Sequence, residues 1–233
     1  MRRVAIMQPY FMPYIGYFQL IAAVDLFIVY DNVKYTKKGW INRNRILCDG
    51  HEALISLPLK AGADSLHVHE RQLAADFDAR KLVRQITGAY RSAPGFEETL
   101  PLVERICGHA DRNLFGFLHH SIVATCRHLG LCTEVAVSSA FAIDHGLKAQ
   151  DKVLALCQAA GATTYVNAIG GTELYSPDAF RDRGIDLRFI KSRPFEYHQF
   201  GKDFVPWLSI LDVMMFNPRD AVVAAIRGNF DLV

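Results

Sequence analysis

The chain has 233 residues, 51% of them hydrophobic and 21% charged, a globular composition with enough apolar mass for one substantial core. Its 26 Lys and Arg against 24 Asp and Glu leave a net charge of only +2, which argues against a nucleic-acid binder, since such proteins spread cations over a whole face. No apolar run is long enough to span a bilayer, and Met1 to Met7 runs into Gln8-Pro9 too soon for a signal peptide, so the expectation is a cytoplasmic protein.

Val4 to Met7 reads as a short strand, Gly16 to Val24 has helical spacing, and Leu26 to Tyr30 is a continuous apolar strand. A basic loop follows, and Ala53 to Leu59 is a further strand closed by Pro58. Residues 73–112 form a helical hairpin, broken at Ser92-Ala93-Pro94-Gly95, and are the expected insertion in a single domain spanning 1–233. Asn113 caps a helix running to Leu129, and Thr133 to Ser139 alternates as a strand. Lys148 to Ala160 is a helix, Thr163 to Asn167 a strand, Pro177 to Arg183 a helix and Ile185 to Ile190 a strand. Helices at Val205 to Met215 and Arg219 to Arg227 close the chain, the second with Asn217 as N-cap and Pro218 at its first position. Such alternation predicts an α/β fold, a mostly parallel sheet with helices on both faces, Rossmann-like or like the HIGH-type nucleotidyltransferases.

The most lopsided stretch is Tyr30 to Leu47, which holds Lys34, Lys37, Lys38, Arg43 and Arg45 with no acid after Asp31. Five cations packed against their mutual repulsion predict an anion-binding segment. Asn42 and Asn44 add donors and acceptors, and Tyr35 and Trp40 offer stacking faces for a base or sugar ring. Ligands of an open parallel sheet bind outside its carboxyl ends. The loop Gln8 to Tyr17, the basic segment and Asn167-Ala168-Ile169-Gly170-Gly171 are therefore expected to face one crevice, with Gln8, Tyr10, Asn167, Gly170 and Gly171 as further contacts. Three groups are candidates for proton transfer: Asp31 at a strand end, Asp212 inside an apolar run, and His198. For both aspartates a buried structural pairing competes with that role. The five cysteines include no Cys-x-x-Cys pair and read as reduced thiols, Cys107, Cys126 and Cys157 as core residues. His67-x-His69 could meet a metal on one face of a strand, but with no third ligand in local reach no metal site is expected.

The segment Val4 to Phe18, with Gln8-Pro9-Tyr10 and Pro13-Tyr14-Ile15-Gly16-Tyr17-Phe18, resembles the WbqC-like family, as do Asp31-Asn32-Val33, Gly39-Trp40 and Asn42-Arg43-Asn44. The resemblance returns in Gly161 to Asn167, Gly170-Gly171, Gly184-Ile185 and Leu208 to Asp212, and only the region from Leu73 to Asn113 contributes little to it. It implies a role in the synthesis of O-antigen or other surface polysaccharides, with glycyl or aminoacyl transfer as the suggested chemistry. On that reading a nucleotide-linked amino sugar binds with its diphosphate on Arg43 and Arg45, Trp40 or Tyr35 stacks, and Asp31, His198 or Asp212 is the base. The activated acyl donor, with or without a carrier, is the second substrate, and no separate cofactor is implied. The opening strand, proline loop, helix and strand are also similar to HIGH-type nucleotidyltransferases, but Tyr14 and Tyr17 stand where histidines are expected. Nucleotidyl transfer and a non-catalytic nucleotide- or RNA-binding module are the competing readings.

Overall fold

In the computed structural model, which describes residues 1–201 and 203–233, six strands form the main sheet. These are β1 (Arg3–Met7), β2 (Leu26–Val29), β5 (Glu134–Val137), β6 (Thr164–Ala168), β7 (Asp186–Ser192) and β8 (Phe230–Leu232). Two more, β3 (Arg43–Cys48) and β4 (His51–Ser56), pair only with each other as an antiparallel hairpin. The main sheet runs β5-β2-β1-β6-β7-β8, parallel except for β8. The chain moves outward from β1 in one direction and then restarts on its other side with β6, the doubly wound order of a Rossmann-like fold.

Strand alternation sorts the core into two layers. Ala5, Phe27 and Val29 face the larger cluster, which includes α1 (Ile15–Ala22), α4 (Leu114–His128), α7 (Ile210–Phe216) and α8 (Arg219–Gly228). Val4, Ile6, Leu26 and Ile28 face α5 (Ala149–Ala159) and α6 (Pro177–Arg181), with Tyr165 and Phe180 stacked between. The inner strands are apolar on both faces because helices cover both.

Residues 73–112 contain α2 (Ala79–Tyr90) and α3 (Phe96–Cys107), whose buried sides join the larger cluster. The break between them has a packing cause. A Cβ on Gly95 would sit 2.3 Å from the Met214 carbonyl oxygen, and the Gly95 N–H donates to the Met215 carbonyl at 2.8 Å. Asn113 caps α4 as expected, its Oδ1 accepting from the Gly116 N–H. Cys107, Cys126 and Cys157 are buried free thiols whose pKa burial pushes up to about 12. Among the described residues no helix is long and apolar enough to cross a membrane.

Several boundaries differ from expectation: β4 spans His51–Ser56 instead of Ala53 to Leu59, β8 follows the helix expected to close the chain, and two further shifts have a local cause. Helix α7 starts at Ile210 rather than Val205, because the Ser209 hydroxyl accepts from the Leu211 N–H and sets the N-terminus there. Pro218, not Asn217, occupies the N-cap of α8. Asn217 instead closes α7, its side-chain amide donating to the Val213 carbonyl.

Candidate functional site

The basic segment is not a single loop. Its second half enters β3, so Arg43 and Arg45 project from a hairpin whose turn, Asp49-Gly50, takes positive φ at both residues. That half packs against the exit from β1. The buried Asn44 amide donates to the Phe11 and Met12 carbonyls at 3.0 and 2.8 Å, and Phe11 N–H donates to the Trp40 carbonyl. Arg43 donates to the Gly39 and Lys38 carbonyls, while Arg45 pairs with Glu52 at 2.7 Å and donates to the Trp207 carbonyl. Both guanidinium groups lie against Trp40, 5.7 and 5.1 Å from its centroid. A cavity of about 230 Å³ opens beside them, lined by Tyr10, Tyr14, Trp40, Asn44, Arg45 and Trp207 among others. The Tyr14–Trp207 pair, edge-on at 6.1 Å, separates it from a cavity of about 530 Å³ beyond β7 that includes Phe195, Tyr197, Phe204 and Pro206.

The first half of the segment goes elsewhere. Asn32 and Lys34 border a basin of about 690 Å³ outside the carboxyl edge of the sheet. Tyr30, directly after β2, forms one wall, Leu174 and Tyr175, after β6, form another, and residues 145–150 bring in the start of α5. Lys34, Lys148, Lys152, His67 and His145 line this basin, and among the described residues no carboxylate does. Helix α5 directs the N–H groups of its first turn to the same end, with no side chain capping them. Lys152, only 8% exposed, donates to the Asn32 side chain at 3.0 Å and lies 5.5 Å from the Tyr30 ring centroid. Burial lowers its pKa, with Asp31 acting in the opposite direction. Tyr30 is pushed far above the usual phenol range by burial and remains protonated.

The three expected loops therefore divide between two regions. The exit of β1 and Arg45 go to the smaller cavity, whereas Asn32 and Lys34 go to the basin, which Leu174 and Tyr175 border but Asn167, Gly170 and Gly171 do not line. The split arises because the β3–β4 hairpin stays outside the main sheet and carries the arginines away with it.

Several residues have roles their sequence context does not reveal. Asp31 is buried with its Oδ1 accepting from the Ser138 hydroxyl and Ser139 N–H; burial would raise its pKa, but these hydrogen bonds hold the carboxyl below the usual range. Asp212 is fully buried and accepts from the Tyr90 and Tyr197 hydroxyls and the Gln199 amide, at 2.8, 2.7 and 2.7 Å. Burial raises its pKa against the pull of those bonds. Neither aspartate lines any of the three cavities, and both hold neighbouring segments in place through these hydrogen bonds. His198 is exposed and also outside these linings.

Tyr35 is no stacking platform: its ring is buried with Arg71 4.9 Å from its centroid, and its hydroxyl donates to Asn42, whose amide in turn holds the Leu57 carbonyl. Lys37 pairs with Asp64, and Lys38 is exposed. Gln8 is half-buried, its carbonyl accepting from the Tyr17 hydroxyl. Asn167 is buried, its Oδ1 accepting from the Ala168 N–H, and a Cβ on Gly171 would meet its amide nitrogen at 2.8 Å. Gly171 thus lets the turn after β6 fold tightly onto Asn167, while Gly170 is exposed with open space at its Cβ position.

Lys148 and Lys152 escaped the sequence reading, although a signal was present. Lys152 falls in the buried stripe of α5, beside Val153, Leu156 and Cys157, where a lysine is rare without a task. The 67–70 segment also differs from expectation. It is a 3-10 turn instead of a strand, and this brings Glu70 to His67 and His69, with one ligand atom from each lying within 4.8 Å of the others.

Comparison with known proteins adds family context. The sequence model of the WbqC-like protein family matches residues 8–224. The "Uncharacterized protein Rv1507c" of Mycobacterium tuberculosis (strain ATCC 25618 / H37Rv) is 30% identical over 220 residues, covering 93% of this chain and 94% of its own. No solved structure matches the chain significantly.

Proposed function

This chain belongs to the WbqC-like protein family, and from that premise we propose that it is a transferase acting on a nucleotide-activated amino sugar in surface-polysaccharide synthesis such as that of O-antigen. It places an acyl or aminoacyl group, glycyl included, on the sugar amine. The observation that carries this reading is the lysine-lined basin without carboxylates at the carboxyl edge of a doubly wound sheet. A sugar nucleotide brings a diphosphate, and Lys34, Lys148 and the first-turn N–H groups of α5 supply its counter-charge. Tyr30 and Tyr175 give aromatic walls for a base or sugar ring.

The amine nitrogen then attacks the activated acyl carbonyl. A C–N bond forms, the donor's leaving group departs with its electron pair, and the amine gives up a proton. The protein's contribution is to hold the two reactants in attack geometry and exclude water. Nucleotidyl transfer finds less support, because the Tyr17 hydroxyl is committed to the Gln8 carbonyl and its ring is buried, so it offers the phosphate nothing in place of a histidine.

Calorimetric titration with a panel of nucleoside-diphosphate amino sugars tests the proposal. Wild type is expected to bind one of them. Lys34→Ala with Lys148→Ala removes two charged hydrogen-bond donors and should weaken that binding by roughly 100-fold. Failure of every sugar nucleotide to bind, or unchanged affinity in the double variant, overturns the assignment.

A further inference from the structure

We propose that His67, His69 and Glu70 form a three-ligand site for a divalent transition-metal ion, zinc being the best fit, at the rim of the lysine basin. The side chains converge already: one ligand atom from each lies within 4.8 Å of the others, and the His67 and His69 rings are 5.7 Å apart. All three are exposed, so an ion reaches them from solvent without unfolding.

The hydrogen bonds around the three side chains fit a metal as well. His69 Nδ1 lies 2.9 Å from the Asp31 carbonyl oxygen, and a carbonyl only accepts, so Nδ1 carries the proton. That fixes the tautomer in which Nε2 has a free lone pair, the arrangement seen when a metal-binding histidine is oriented by a backbone carbonyl. The turn itself is tied down: Val68 N–H donates to the Val33 carbonyl, His69 N–H to the Asp31 carbonyl, and Asn113 donates to the His69 carbonyl at 2.6 Å. Glu70 Oε2 accepts from the His67 N–H at 2.7 Å and lies 3.9 Å from His67 Nδ1, which fixes the carboxylate beside that ring.

Two imidazoles and one carboxylate select a borderline metal. Magnesium and calcium want oxygen ligands throughout, whereas zinc takes this nitrogen and oxygen set and leaves a fourth position open. His67 also lines the basin, so a bound ion would sit at its edge.

Purified full-length protein, stripped with a chelator, should take up one equivalent of zinc in competition with a chromophoric chelator. His69→Ala and Glu70→Gln should each reduce that affinity by about tenfold or more, with unchanged circular dichroism. Glutamine keeps the acceptor for the His67 N–H and so separates ligation from folding. His51→Ala, on the distant hairpin, should leave uptake intact. Cobalt substituted for zinc should give visible bands without thiolate charge transfer. Absence of stoichiometric uptake, indifference to both substitutions, or a thiolate band overturns the proposal. The lysines can hold phosphate without a metal, so a negative result here leaves the sugar-nucleotide reading standing, and loss of that reading leaves the metal titration interpretable.

Discussion

The arginine end and the lysine end of one basic stretch behave in opposite ways. Arg43 and Arg45 lie over Trp40 with donors on the Gly39, Lys38 and Trp207 carbonyls and on Glu52, so these bonds tie the arginines to the hairpin, its lead-in and the Trp207 backbone. Lys34, together with Lys148 and Lys152 from far along the chain, borders a basin without carboxylates. Charge density in the sequence was greatest where the fold ties the arginines into its own hairpin. The charge that remains uncompensated in the tertiary structure, not the number of cations in a window, marks the better place for an anion.

The largest effect is expected at the hairpin's foundation. The Leu47 N–H donates to the Tyr90 hydroxyl, which donates to Asp212, so the strand bearing the arginines rests on this buried carboxylate. Asp212→Ala leaves three donors without their acceptor and should cost about 3 kcal/mol or more in urea unfolding. A loss well under 1 kcal/mol would remove Asp212 from the scaffold. Titration sharpens the contrast with Asp31. Asp212 is held above the ordinary 3.8, so its contribution is complete below 3.8 and fades as pH rises through its folded value. Asp31 is held below 3.8, so its contribution is present above that value and disappears as pH falls through its folded value. The stability gaps of Asp212→Asn and Asp31→Asn relative to wild type should therefore change with pH in opposite directions. Parallel profiles would contradict the assigned environments.

An intermediate effect is expected at the arginines. Arg43→Ala should lower stability by about 1 kcal/mol through its lost carbonyl and Trp40 contacts while leaving sugar-nucleotide affinity where it was. If binding collapses and stability does not move, the ligand sits at the smaller cavity and the assignment of the two ends is reversed. The smallest effect belongs to Glu52→Gln. Glu52 itself is more than half exposed, although its partner Arg45 is mostly covered, and unfolding should shift by less than about 1 kcal/mol.

The family and the α/β architecture were legible from the chain itself. Alternating strand and helix periods encode a parallel sheet because each crossover has to lay a helix over it, and the family match runs from the opening proline motif to residue 224. Asn113 was readable as a cap because capping is local, one side chain meeting an N–H three residues on. Residue pairing across the chain was not readable in that way. That Asp31 would be held by Ser138 and Ser139, Asp212 by Tyr90, Tyr197 and Gln199, and Tyr35 beneath Arg71 depends on segments up to 122 residues apart. The gathering of Lys34, Lys148 and Lys152, and the turn that brings Glu70 to two histidines, were likewise decided only in three dimensions. Local chemistry fixes periodicity and caps, but whether a charge is spent or free is set by neighbours that only the folded chain brings near.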